Sequence, residues 1–352
     1  MNCSKSTGLI AAFLLVGLPA TGWTADSPGC ANHPPLESGT YQMQFEGLER
    51  TYRVHVPDSP DQMGAGPLVV IFHGWGGDEN DYLDLEEVRQ EADKRGYVLV
   101  AARGIGSGTP DSGRNSWSFR GSTSGIDGNG AKICDDEFTP DYTYPSCREA
   151  GIAQNSCSWT HCQGPSEGDV EFTLAMVREI ENGLCVDTGR IYATGTSNGG
   201  MFTWELGQNP KSASTFRAIA PNIGLPHRGY LAGPPAGAGM PALLVTGTRD
   251  ATVPPGEWEE PGFTTTSDGD RFFYASATAI TRVWANALGC STETDAVPFD
   301  AGLGHVDCRS YCSSEMAFPA VLDCRADMGH DSGLAWSWRL TLDFFDAHAV
   351  EQ

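Results

Sequence analysis

The chain is poor in positive charge. Over 352 residues, 22 Lys and Arg stand against 45 Asp and Glu, a formal net charge of -23. Nucleic acid and anionic membrane surfaces both need a cationic face, so neither is expected as a partner. Past residue 25 no stretch approaches the ~20 uninterrupted apolar residues that cross a bilayer. A glycine-rich loop with a Walker lysine and a Gly-x-Gly-x-x-Gly are both missing, which removes the common nucleotide cradles. Metal signals are thin too. Cys308-x-x-x-Cys312 has no second ligand pair at finger-like spacing, and Asp127-Gly-Asn129-Gly with Asp135 and Asp136 fails the EF-hand pattern. No metal and no cofactor are expected.

What is present begins with a leader. MNCSKSTGLIAAFLLVGLPATGWTA has an early lysine, an apolar run from Gly8 to Leu18, and small residues before a cut after Gly22 or Ala25. Residues 1–25 are read as a signal peptide, and the protein is expected outside the cytoplasm. Of eleven cysteines, only Cys3 falls in the leader; ten remain, an even number in an exported chain, and disulfides follow. They group as Cys134, Cys147, Cys157 and Cys162, then Cys290, Cys308, Cys312 and Cys324, with Cys30 and Cys185 apart.

Residues 26–352 read as a single α/β domain with a mainly parallel sheet covered on both faces. Apolar, β-branched runs mark strands at Arg53–Val56, Pro67–Phe72, Tyr97–Ala102, Arg190–Thr194, Ala218–Pro221, Ala242–Thr246 and Ala320–Asp323. Helical spacing links Val170, Leu174, Val177, Ile180 and Leu184, and again Leu334, Trp338, Leu342 and Phe345. Gly104–Ser166 breaks the alternation. It is rich in Gly, Ser, Asp and Thr, carries four cysteines, and reads as a cross-linked insertion of the kind that shapes a site.

Two Gly-x-Ser-x-Gly matches occur where roughly 0.4 is expected by chance. Gly164-Pro-Ser166-Glu-Gly168 follows no strand and reads as an ordinary loop. Gly195-Thr-Ser197-Asn-Gly199 follows the strand Arg-Ile-Tyr-Ala-Thr and opens a helical run, the setting that raises a serine on a sharp turn. Ser197 is the expected nucleophile. His73-Gly74-Trp75-Gly76-Gly77 directly follows PLVVIF and is placed to donate a backbone N–H to an oxyanion; Trp75 N–H and Asn198 N–H are the candidates. Asp250, in Arg249-Asp250-Ala-Thr-Val-Pro-Pro, leaves a strand downstream of the serine and suits a carboxylate that orients an imidazole. For that imidazole, His305, His330 and His348 all come late enough. His348 reads as a surface residue of the last helix and His305 as a hairpin residue, so His330, between the last strand and last helix, is favoured. An imidazole titrating near ~6.5 can take a proton and return it.

Together PLVVIFHGWGG, YATGTSNGGM, TGTRDATVPP and the late MGH resemble the secreted polyhydroxybutyrate depolymerase-like and feruloyl esterase-like α/β-hydrolases. The resemblance covers about Tyr41 to His348. It implies an α/β-hydrolase fold, serine esterase chemistry at Ser197, Asp250 and His330, and esters of ferulic or related acids on plant polysaccharide as substrates. Hydroxyalkanoate polyesters are the second choice, and a non-catalytic binding protein on the same scaffold is the third. Trp75, Trp117, Trp159 and Trp258 fall near strand exits and are expected to offer an aromatic platform to the substrate, the alternative being burial under long loops.

Overall fold

The computed structural model describes residues 26–31, 35–58, 64–104, 115–117, 119, 142–143, 158–159, 168–227, 230–265, 274–290, 297–312 and 318–349. The leader, the four cysteines from Cys134 to Cys162, the Ser166 loop and the Asp127–Asp136 group lie outside the described residues, as does most of the insertion.

Apolar runs become sheet. Ten strands, β1 (Gly39–Phe45), β2 (Leu48–His55), β3 (Gly66–Phe72), β4 (Val98–Ala102), β5 (Val186–Thr196), β6 (Ala218–Asn222), β7 (Ala242–Gly247), β8 (Val297–Phe299), β9 (Val306–Ser310) and β10 (Val321–Ala326), stand in the order β1-β2-β4-β3-β5-β6-β7-β10-β9-β8. From β4 to β10 every pairing is parallel; β1 and β2 at one edge and β9 and β8 at the other are antiparallel. Strands β3, β4, β6, β7 and β10 are buried at every position, the signature of a sheet covered on both sides.

Alternate side chains of β3 show how the cover divides. Leu68, Val70 and Phe72 join a cluster with helices α2 (Gly168–Gly183), α3 (Asn198–Gln208) and α4 (Ala277–Ala287). Val69 and Ile71 face the other way, toward α1 (Glu86–Arg95) and α5 (Leu334–Ala347). The α2 stripe buries Val170, Val177 and Ile180, and the α5 stripe buries Trp338, Leu342 and Phe345. Helix α3 differs, with all eleven residues buried. It is packed on every side rather than amphipathic.

Among the described residues, three disulfides tie the periphery: Cys30–Cys185, Cys290–Cys312 and Cys308–Cys324, the last joining paired positions of β9 and β10. Cys308 and Cys312 therefore belong to different bridges. Two details depart from expectation. Strand β2 starts at Leu48, five residues before Arg53, because it forms a hairpin with β1, which periodicity did not reveal. His348 is not a surface residue: it is 1% exposed, its Nε2 bonds to the Pro319 carbonyl at 3.1 Å, and burial lowers its pKa.

Candidate active site

All the parallel strands end at the same sheet margin. Phe72 pairs with Gly195, Thr196 with Asn222, and Ala326 with Gly247, so the loops after β3, β5, β6, β7 and β10 converge there. Ser197 sits between β5 and α3 with φ 55° and ψ -118°, a backbone conformation that side-chain-bearing residues rarely adopt. What holds it is crowding below. A Cβ on Gly195 would lie 2.6 Å from the Gly199 carbonyl carbon, and one on Gly199 would lie 2.2 Å from the Phe72 oxygen. Only glycine permits strand and helix to meet this closely. The Ser197 N–H donates to the Asn222 carbonyl at 2.9 Å, and the first turn of α3 points its N–H groups toward the serine's side of the turn.

Asp250 follows β7 and His330 follows β10. The Asp250 side chain is wholly buried, and its Oδ1 accepts the N–H groups of Thr252 and Val253, each at 2.8 Å. Its Oδ2 accepts from His330 Nδ1 at 2.7 Å. With Nδ1 carrying its proton toward the carboxylate, Nε2 is left to accept, and Ser197 Oγ lies 2.9 Å from it. Serine, imidazole and carboxylate thus form one hydrogen-bonded line. A raised serine, an acid and a histidine in that chain order, on this strand order, decide the architecture.

The fold is that of the α/β-hydrolases.

Similarity to known proteins is modest. The chain is 26% identical over 209 residues to "Feruloyl esterase D" of Neurospora crassa, a match covering 59% of this chain and 57% of that protein. It is 25% identical over 231 residues to "Probable feruloyl esterase C" of Aspergillus niger, covering 65% of this chain and 64% of the relative. The chain thus spans less than two thirds of the length of the curated relatives it matches. Among solved structures, "Acetyl xylan esterase from Aspergillus awamori" aligns over 88% of this chain and 99% of its own at 12% identity, with a TM-score of 0.49. No protein-family model matches the chain.

In this α/β-hydrolase the serine and histidine open onto a cavity of about 620 Å³, walled by Gly74, Trp75, Tyr82, Ile223, Val253 and Leu334 among others. Two carboxylates, Asp81 and Asp331, also line it, and among the described residues no lysine or arginine does. Burial raises the pKa of Asp81, and the nearby carboxylates Asp78, Glu79 and Asp84 add to that effect. The Tyr82 hydroxyl bonds to Thr196 Oγ1, and burial pushes its pKa up.

Beneath the loop after β3, His73 is 2% exposed. Its Nε2 accepts the Gly104 N–H at 2.9 Å, which leaves Nδ1 as the donor to the Gly74 carbonyl at 2.6 Å. Burial, with Arg103 and Arg50 nearby, lowers its pKa to about 4, against the pull of Gly74 and Asp78. The ring is a neutral strut.

The four tryptophans separate. Trp75 lines the cavity. Trp117 does not: it is fully buried, stacked on Phe202 with centroids 5.4 Å apart and edge-on to Phe72 at 5.0 Å. The ring packs into the corner that these two phenylalanines form, so the expected platform role fails there. Trp258 fails likewise, because it lies under the guanidinium groups of Arg309 and Arg325, 4.3 and 3.6 Å from the ring centroid, away from the cavity lining. Trp159 stands in a two-residue strand paired with Tyr142–Thr143, and its side chain lies outside the described residues. Of the other late histidines, His305 meets Trp336 edge-on at 5.3 Å and lines no part of the cavity.

Sequence reasoning missed Asn222. Its carbonyl holds the Ser197 N–H while its Nδ2 donates to the Ser332 carbonyl at 2.8 Å, tying the Ser197 turn to the segment after His330. It also missed Asp81 and Tyr82. Their position just after the His73–Gly77 loop was the available signal.

Proposed function

We propose that the protein is a serine-dependent carboxylic ester hydrolase, acting through an acyl-enzyme on feruloyl or related aryl esters of plant polysaccharide. One observation carries the chemistry: Ser197 Oγ lies 2.9 Å from His330 Nε2, whose other nitrogen lies 2.7 Å from Asp250. In the first half-reaction Ser197 Oγ attacks the ester carbonyl as its proton passes to His330 Nε2, and Asp250 steadies the imidazolium. The backbone N–H groups of Trp75 and Asn198 are the proposed donors to the tetrahedral oxyanion. Collapse expels the alcohol, which takes the proton from Nε2, and leaves an acyl-serine. Water then attacks by the same route in reverse and releases the acid. No metal or cofactor enters this scheme.

The aryl preference rests on the feruloyl esterase relatives and on a cavity walled by Trp75, Tyr82, Ile223, Val253 and Leu334. Such a wall suits a flat apolar acyl group. Action outside the cytoplasm is part of the same proposal, supported by the disulfides among the described residues and by the apolar run from Gly8 to Leu18.

A fluorophosphonate probe should label the wild type and not Ser197→Ala. Among methyl ferulate, acetylated xylan and polyhydroxybutyrate, methyl ferulate should be hydrolysed with the highest kcat/KM. Labelling that survives Ser197→Ala would refute the nucleophile; faster release of 3-hydroxybutyrate or acetate would refute the substrate class.

A further inference from the structure

In the His73–Gly77 loop only His73 and Trp75 carry side chains. It contains three glycines, one of them, Gly76, at φ 80°. Donors that stabilise a developing charge must already be still when the charge appears, and a glycine-rich chain is intrinsically loose. The restraint comes from residues 115–117, at the stem of the insertion.

Asn115 grips the loop twice. Its carbonyl accepts the Gly76 N–H at 2.7 Å, and its Nδ2 donates to the Gly77 carbonyl at 2.8 Å. Trp117 grips the near end, its Nε1–H donating to the His73 carbonyl at 2.8 Å. The loop is therefore pinned on both sides of Trp75. On the nucleophile's side, the Trp117 backbone N–H donates to Asn198 Oδ1 at 2.8 Å. Two residues of one short segment, Asn115 and Trp117, thus bond both to the loop carrying one proposed oxyanion donor and to the residue carrying the other.

The amide orientation of Asn115 is forced, since the Gly77 carbonyl can only accept. That leaves Asn115 Oδ1 buried and without a hydrogen-bond partner among the described residues. A buried unmet acceptor is destabilising, and simple filling of space would be served as well by an apolar side chain.

We propose that Asn115 and Trp117 are positioning residues, bracing the loop against α3 so that the Trp75 and Asn198 N–H groups stand at the spacing one oxyanion requires. This rests on the ester hydrolase reading above. Neither residue touches the substrate; both act through backbone groups they hold.

Trp117→Phe keeps a ring against Phe202 but removes the bond to His73; Asn115→Ala removes the bond to Gly77. Each should lower kcat on an aryl ester by about 10- to 100-fold while KM stays within about threefold, because misplacement of a donor is felt in the transition state. An aryl trifluoromethyl ketone, which forms a tetrahedral oxyanion adduct with the serine, should lose affinity in step with kcat, while the matching amide, a ground-state ligand, should bind as before. The brace is overturned if kcat stays within twofold of wild type in both variants, or if ketone and amide weaken equally. Should Trp117→Phe fail to fold, Asn115→Ala decides alone. A wild type that hydrolyses no ester would sink the hydrolase reading itself, whereas an active wild type with unaffected variants would sink only the brace.

Discussion

Replacing Asp250 with asparagine changes almost nothing in shape and reverses one hydrogen bond. Asp250 Oδ1 accepts two backbone N–H groups, from Thr252 and Val253 at 2.8 Å each, while Oδ2 faces His330 Nδ1 at 2.7 Å. An asparagine must keep its oxygen on the two N–H donors, because turning the amide over would set its NH₂ against both. Its NH₂ then points at His330 and demands an acceptor. Nδ1 loses its proton, Nε2 gains it, and the nitrogen facing Ser197 Oγ can no longer receive the serine's proton. The imidazolium also loses its counter-charge. A tautomer reversal of this kind lowers kcat by about 10⁴-fold in serine proteases, equivalent to about 5 kcal/mol of transition-state stabilisation. Stability should change little, since the backbone bonds survive. The assay is kcat and KM on a soluble aryl ester, with urea unfolding on the same samples. A folded Asp250→Asn enzyme within tenfold of wild-type kcat would refute the assignment of Asp250 as the residue that orients His330.

Other outcomes follow from packing and protonation. Gly199→Ala places a methyl 2.2 Å from the Phe72 oxygen and 2.5 Å from the His73 oxygen, both backbone. It should destabilise by about 3 kcal/mol or more in urea melts and abolish activity; a folded, active variant would disprove the close-approach account of the turn. Stability should fall with acid through His73 and His227, which burial holds down to about 4 and about 3. Their unfolded rings take up protons first, so the contribution is complete above about pH 6.5 and is lost as pH drops from there toward 4, by about 1.4 kcal/mol per unit for each ring. Denaturant melts from pH 7.5 to 4.5 check the sign, and stability that rises on acidification would contradict it.

How much of this was legible beforehand differs by element. Strands β3, β6 and β7 declared themselves because a sheet buried on both faces needs continuous apolar runs. Strand β1 did not, since Tyr41, Met43 and Phe45 merely alternate with Thr40, Gln42 and Gln44 and are only partly buried. Helix α1 buries just Val88 and Ala92 in a charged ten-residue segment, too little for a stripe. The serine turn was readable because its requirements are local: glycines at fixed offsets between a strand and a helix. Trp117 was misread for the opposite reason. A loop tryptophan has the same sequence signature whether it faces a ligand or the core, and the corner formed by Phe72 and Phe202 exists only once β3 and α3 have packed. Asn115 and Asn222 carry no signal of their own; amides acquire meaning from the carbonyls they reach.

Because α3 has no exposed side, each of its residues is already spoken for by a neighbour, and the helix behind the proposed nucleophile has no freedom to adapt to a new acyl group. Any change of substrate preference, by evolution or by design, must be written in the cavity lining, in Trp75, Ile223, Thr252 and Leu334, with the inner scaffold left as it stands.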